Sequence, residues 1–272
     1  MFDLTFWQAA AVTFLLYHIA GTSYTIYVHR GLMHRTVKYH PWLEKFFQTA
    51  VWMTIGSWSR TILGFHLVHH KYADHPIFDQ PSPNCIGKWE VLFFKPIRAF
   101  FKHILFKRVI PVVPDKYLID ESKLTDTQIF LLNEAKRLIH QEPLGYDWYT
   151  GHSRIGPAIL LLINLILFGW IGFIITAIVQ FSVVVTLISV SDGILHLYGY
   201  RNFNTRDNSR NLLPWGIIFS GEELHNNHHG RPGSANFAQK PWEFDIGYFY
   251  IKVFEFFGLA NIRSNDVSKR NT

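Results

Sequence analysis

The stretch from Ile155 to Leu195 constrains this chain more than any other, because it is almost all Ile, Leu, Val and Phe. As one straight helix of roughly 40 residues it would be ~60 Å long, about twice the hydrocarbon thickness of a bilayer. The interruption Gly169-Trp170-Ile171-Gly172 removes the excess. It predicts two antiparallel transmembrane spans over 155–195, joined by a tight turn. A second apolar stretch over 4–28 is also long enough to cross, although His18 and several Thr and Tyr interrupt it. Composition agrees with a membrane protein. Charged residues make up 17% of the chain and hydrophobic residues 49%. A soluble domain carries roughly 25% charged residues.

The 272 residues suffice for one sizeable domain, and no internal repeat is visible. The single cysteine, Cys85, rules out an internal disulfide and a cysteine-based zinc or iron–sulfur site. The net charge of +6 is spread along the chain, without a basic stripe or a nucleic-acid motif. It therefore fits membrane topology and lipid contact rather than nucleic-acid binding. The N-terminus has no basic region of the kind that opens a signal peptide, since no Lys or Arg precedes Arg30.

The chain carries 15 histidines, most of them in short clusters beside the apolar segments. His29 and His34 form H-x4-H. His66, His69 and His70 form H-x2-HH, and His225, His228 and His229 repeat that pattern. His196 follows the long apolar run. Imidazole is the commonest metal ligand near neutral pH. In H-x2-HH the outer histidines share one helix face and the middle one lies near it. A spacing of five needs a distortion or a helix end, so His29 and His34 can serve one centre or reach two. Nine imidazoles exceed the four ligands of one zinc and suit two metals. The isolated histidines His18, His40, His75, His103, His140 and His152 read as ordinary interfacial residues. Glu222 and Asp74 can orient ligand imidazoles through the second ring nitrogen.

The clusters also order the topology. The segment 46–62 is apolar but short and contains Arg60. Its two ends adjoin the first and second clusters, so a full crossing would separate groups that must share a site. It is expected to be an interfacial or re-entrant helix. The resulting fold class is an all-α integral membrane protein with three transmembrane helices plus interfacial helices. Residues 81–154, with a helical pattern near Asp126 to His140, and 196–272 form a cytoplasmic helical cap around the metal site. Lys and Arg fall on the histidine side, which the positive-inside rule makes cytoplasmic.

The clusters themselves resemble those of the membrane fatty acid desaturases of the acyl-CoA/acyl-lipid Δ9 type, bacterial members above all. The matching stretches are His29-Arg-Gly-Leu-Met-His34-Arg, His66-Leu-Val-His69-His70-Lys-Tyr-Ala-Asp, His196-Leu-Tyr-Gly-Tyr-Arg and Gly221-Glu-Glu-Leu-His225-Asn-Asn-His228-His229. Their order and rough spacing hold across Leu4 to Leu259. The resemblance implies two irons held by His29, His34, His66, His69, His70, His196, His225, His228 and His229, with O2 as co-substrate. It implies desaturation of a long acyl chain, in an inner membrane with the active site on the cytoplasmic face. Hydroxylases and oxidative decarboxylases share the design, and a metal- or haem-binding membrane protein without oxygenase activity is the reading from another class. Ligand softness alone leaves zinc and copper open. A ferritin-like carboxylate site needs two Glu-x-x-His pairs, and only Glu222 to His225 has that spacing.

The chain departs from the family where an asparagine usually stands four residues before the solitary histidine. Asp192 occupies that place, as an iron ligand or as an acceptor for a ligand water. The acidic run ending Asp-Pro-His also differs, reading Asp74-His75-Pro76. Trp52, Trp58, Phe65, Phe181 and Trp215 are candidates for an acyl tunnel. With no haem domain, dinucleotide motif or cysteine cluster, electrons must come from outside. A ferredoxin, rubredoxin or cytochrome b5 type donor suits the basic face.

Overall fold

The computed structural model describes residues 2–56, 60–76, 78–79, 82–105, 126, 129–130, 133 and 148–263. Most of the segment around Asp126 to His140 therefore lies outside the described residues, as does Trp58. Among the described residues two helices are long and apolar enough to cross a bilayer, Phe6–Met33 and Ile155–Leu197.

The first begins at α1 (Phe6–Thr22). Thr5 caps it in a reciprocal box: its hydroxyl accepts from the Gln8 backbone N–H, and the Gln8 side chain accepts from the Thr5 N–H at 2.9 Å. No acidic or basic residue occupies its first or last turn. The helix continues as a π-helical segment, Ser23–Met33, that carries His29 to its end.

The second long helix is a hairpin. Gly169 breaks it with φ 56° and ψ −137°, a left-handed backbone that favours glycine. The two arms fold back on each other, because the Asn164 side chain donates to the Thr176 hydroxyl at 2.8 Å. A Cβ at Gly172 would collide with the Asn164 carbonyl, so the arms touch backbone to backbone. The Phe2 N–H donates to the Leu167 carbonyl at 2.6 Å, which sets the chain start beside the hairpin turn. The returning arm runs alongside α1, joined by Tyr17 and Thr186 hydroxyls 2.8 Å apart. It too ends in a π-helical segment, Thr186–Ile194, followed by Leu195–Leu197. Both long helices thus deliver their histidines to the end opposite the turn.

The helix expected over 46–62 takes different bounds. The α2 helix spans Pro41–Ile55, and α3 (Arg60–Tyr72) carries the second histidine cluster as a separate helix. His40 caps α2 by accepting from the Trp42 N–H, and Pro41 fills the first turn, where its missing N–H costs nothing. Gly56 ends α2 with φ 74°. A Cβ at Gly156 would strike the Trp52 backbone, so α2 lies directly on the first hairpin arm.

Within 81–154 the described elements are Pro83–Ile86, a π-helical turn Glu90–Phe94, Lys95–Leu105 and Trp148–Gly151. Two short ladders tie the C-terminal part to the rest. β1 (Val37–Tyr39) pairs antiparallel with β4 (Ala260–Ile262), and β2 (Trp215–Gly216) pairs in parallel with β3 (Phe244–Asp245). Buried Tyr27, Tyr39 and Phe47 form an aromatic cluster between the first long helix, β1 and α2.

Candidate metal centre

The π-helical segment explains the first histidine spacing. The His34 N–H donates to the His29 carbonyl at 3.0 Å, a bond from residue i+5 to residue i. Five residues therefore make one π turn, and both imidazoles reach the same side with ring centroids 4.9 Å apart.

The nine clustered histidines converge into two groups. His29, His34, His66, His70 and His228 form one; His69, His196, His225 and His229 form the other. In each group the ligand atoms lie within 4.8 Å of one another. The two H-x2-HH clusters divide in mirrored fashion. Outer pair His66 and His70 joins the five-histidine group while middle His69 joins the other. Outer pair His225 and His229 joins the four-histidine group while middle His228 crosses over. At 100° per residue, position i+4 lies about 40° from position i, and i+3 about 60° away on the other side. One helix can therefore straddle two centres, which sharpens the expectation that the middle histidine shares the outer face.

The arrangement fits metal cations. Nε2 atoms face each other at 2.8 Å (His34 and His66), 3.0 Å (His29 and His228), 2.9 Å (His70 and His228) and 3.1 Å (His196 and His225). Nitrogens at right angles about a metal, each ~2.1 Å from it, would be ~3.0 Å apart. His29 and His196 give their Nδ1 hydrogens to carboxylates, so a neutral ring presents a bare lone pair at Nε2. The Nε2 atoms of His69 and His229 are buried without a hydrogen-bond partner. Lone pairs converging on lone pairs need a cation between them.

Four carboxylates hold the rings from behind. Glu222 accepts from His29 Nδ1 at 2.7 Å and also from the Thr25 hydroxyl. Asp74 accepts from His196 Nδ1 at 2.7 Å. Asp79 and Asp207, which the sequence reading did not single out, accept from His69 and His229 at 3.0 and 2.9 Å. Asp79 follows the second cluster closely, a weak signal in the sequence. Asp207 lies far from His229 along the chain and offered none.

Burial holds His34, His66, His70, His225, His228 and His229 well below the usual histidine range, so they stay neutral and able to ligate. Burial acts the same way on His69, but Asp79, with Asp192 and Asp74, outweighs it and lifts that ring to about 9. A metal there displaces a proton. Burial also opposes charge on Asp74, yet bonds from His196, Ser82 and Asn208 bring it down to about 2.

The third cluster is clamped by its own amides. Asn226 accepts from the N–H groups of Asn202 and Phe203, both at 2.8 Å. Asn227 donates to the Phe237 carbonyl at 2.8 Å and to Glu243 at 2.7 Å, and accepts from Asn211 and Asn202. Arg30 is fully buried. It pairs with Asp245 at 3.1 Å and lies 3.8 Å from the centre of the Phe237 ring, which packs on His228. A Cβ on Gly221 or Gly247 would strike its guanidinium. These residues escape a reading based on histidine spacing.

Other expectations are relocated. Asp192 belongs to neither histidine group. It lines a cavity beside them, with Tyr17, Tyr24, Val183, Leu187 and Phe219 on the walls. Trp52, Phe181 and Trp215 are absent from those walls. Trp52 donates to the His152 carbonyl at 2.9 Å and packs on Trp148 and Tyr149. Phe181 packs edge-on to Phe100, and Trp215 is 60% exposed on β2. These three aromatics serve helix packing and the surface, while the cavity takes its aromatic walls from Tyr17, Tyr24 and Phe219. Phe65 lies on α3, with its side chain outside the described residues. His18, His40, His75 and His152 stand outside both groups. His140 and the His103 side chain lie outside the described residues.

Comparison with known proteins agrees with this chemistry. The profile of the family "Fatty acid desaturase" matches residues 5–242. Delta-9 acyl-lipid desaturase 2 of Arabidopsis thaliana is 28% identical, over 93% of this chain and 74% of the relative. An acyl-CoA C20 Delta5-desaturase of Anemone leveillei is 28% identical, over 93% and 73%. An sn-1 stearoyl-lipid 9-desaturase of Synechocystis sp. is 27% identical, over 93% and 71%. With the match spanning nearly the whole chain, this protein belongs to the fatty acid desaturase family and is an oxidoreductase.

Proposed function

We propose that this protein is an integral-membrane acyl desaturase that uses two irons and O2 to insert a double bond, Δ9-like in position, into a long acyl chain. The observation that carries this reading is the convergence of five and four imidazoles beside a cavity between the two long helices, with His29, His66, His69 and His225 on its wall. All nine imidazoles, His29, His34, His66, His69, His70, His196, His225, His228 and His229, are the ligands in this reading. When bound, a reduced iron pair would, together with O2, supply the oxidant that unactivated methylenes require.

The protein's own residues bind and orient. Glu222 and Asp74 fix the rings of His29 and His196 with Nε2 toward the metals. Val183, Leu187 and Phe219 offer apolar contact to an acyl chain, and Gly21 leaves space because nothing lies within 4 Å of where its Cβ would be. Asp192, on the same wall, lies near the four-histidine group, close enough to interact electrostatically with His69 and His196, and is placed to accept from a ligand water. Three crossings, one by Phe6–Met33 and two by the hairpin, set the histidines at the cytoplasmic face of an inner membrane. A ferredoxin, rubredoxin or cytochrome b5 type donor docks on the basic side, and the substrate is an acyl-lipid or an acyl-CoA.

Expression in a host without such an enzyme, together with an active redox partner, tests this. Monounsaturated acyl chains should appear and should vanish with His228→Ala. Hydroxylated chains or terminal alkenes would move the assignment to another reaction of the same scaffold. An unchanged acyl profile would count against desaturation.

A further inference from the structure

The two histidine groups are backed unequally. In the four-histidine group, His69, His196 and His229 each give Nδ1 to a carboxylate: Asp79 at 3.0 Å, Asp74 at 2.7 Å and Asp207 at 2.9 Å. Among the described residues, the five-histidine group has only His29 so backed, to Glu222 at 2.7 Å. Each group also holds one histidine whose Nδ1 is buried without a partner, His228 in the five-histidine group and His225 in the four-histidine group.

The three carboxylates are themselves fixed. Asp79 is fully buried and also accepts from the Asp74 N–H at 2.6 Å. Asp74 accepts from the Ser82 hydroxyl and the Asn208 N–H, both at 2.7 Å. Asp207 accepts from the Ser209 N–H at 3.0 Å and the Thr205 hydroxyl at 2.8 Å. None needs to move to receive an imidazole. The five-histidine group instead has the cation Arg30 beyond Phe237, balanced by Asp245.

A carboxylate behind a histidine locks the tautomer that offers Nε2, raises the basicity of that nitrogen and offsets the charge of a bound dication. Such a partner is worth about 10- to 100-fold in metal affinity. The five-histidine group gains one neutral ligand, but the four-histidine group gains two additional anions. The anions dominate.

We propose that the four-histidine group binds its metal first and more tightly, and that Asp79 and Asp207 are the positioning residues that set this order. The metal of the five-histidine group is the labile one. This rests on the two-metal reading above.

Metal-free protein in detergent is titrated with Co(II), and bound cobalt per chain is counted in competition with a chelator. The wild type should take up two ions in steps at least about 10-fold apart. Asp207→Asn and Asp79→Asn should weaken the tight step by about 10- to 100-fold and leave the weak step unchanged. Glu222→Gln should weaken only the second. His225→Ala should remove the tight step and His34→Ala the weak one, which assigns each step to a group. The unchanged step in each variant reports that the fold is intact. Two equal steps in the wild type, or loss of the weak step in the Asp207 and Asp79 variants, would overturn the order alone. Fewer than two ions per chain would overturn both the order and the two-metal reading.

Discussion

Asn164 in the apolar hairpin and Asn227 in the third histidine cluster are both buried, at 3% and 1% exposure, and they work differently. Asn164 donates to Thr176 and ties one arm to the other. Asn227 donates to Phe237 and Glu243 and accepts from Asn202 and Asn211, so four partners depend on it. The hairpin satisfies its backbone internally, as any helix in lipid must, and adds few side-chain bonds. The shell around the histidines has little regular secondary structure to satisfy it. Its loops are held by carboxylates and amides, each bonded several times. Order comes from composition in one region and from polar connectivity in the other.

Substitutions can break or sharpen that contrast. The largest effect is expected for Arg30→Leu, which strands the buried Asp245. Breaking a buried ion pair costs about 3–5 kcal/mol. Thermal unfolding in detergent should fall steeply and metal content with it; wild-type stability would show that the pair is dispensable. Next is Asn227→Ala, which takes the donor from the Phe237 carbonyl at about 1–3 kcal/mol and removes one of the five hydrogen bonds that Glu243 accepts. Metal content measured on folded protein should drop even where the helical signal in circular dichroism survives. Gly172→Ala should cost about 1–3 kcal/mol by forcing the hairpin arms apart. Metal stoichiometry should stay at the wild-type value, and metal loss would join the two regions into one cooperative unit. Ile166→Ala, at a residue 64% exposed on the hairpin, should change unfolding by less than about 0.5 kcal/mol. A larger change would reveal a protein contact where lipid is expected.

Legibility in the sequence follows the same divide. The apolar runs and the Gly169 turn could be read because hydropathy and glycine act locally. The nine imidazoles were visible because metal-type spacing repeats. Their partition into two groups was not, since it depends on how α3 and the third cluster face each other. Asp79 was hidden in an irregular loop, and Asp207 meets His229 only after the chain folds back. The bounds of α2 turned on Gly56, whose positive φ overrides an apolar pattern running through to Ile62. Trp52, Phe181 and Trp215 stand off the cavity beside the histidines, because size and aromaticity do not say which way a side chain faces.

The π-helical ends of the two long helices have a consequence for how this chain tolerates length change. A π turn is an α turn with one residue added, absorbed as a local widening rather than a loop. Removing one residue between His29 and His34 would therefore leave a continuous helix, merely rewound to the α form. His29 and His34 would then stand four residues apart, about 40° from each other on one face of that helix. The pair can lose that residue without losing either its helix or its shared face.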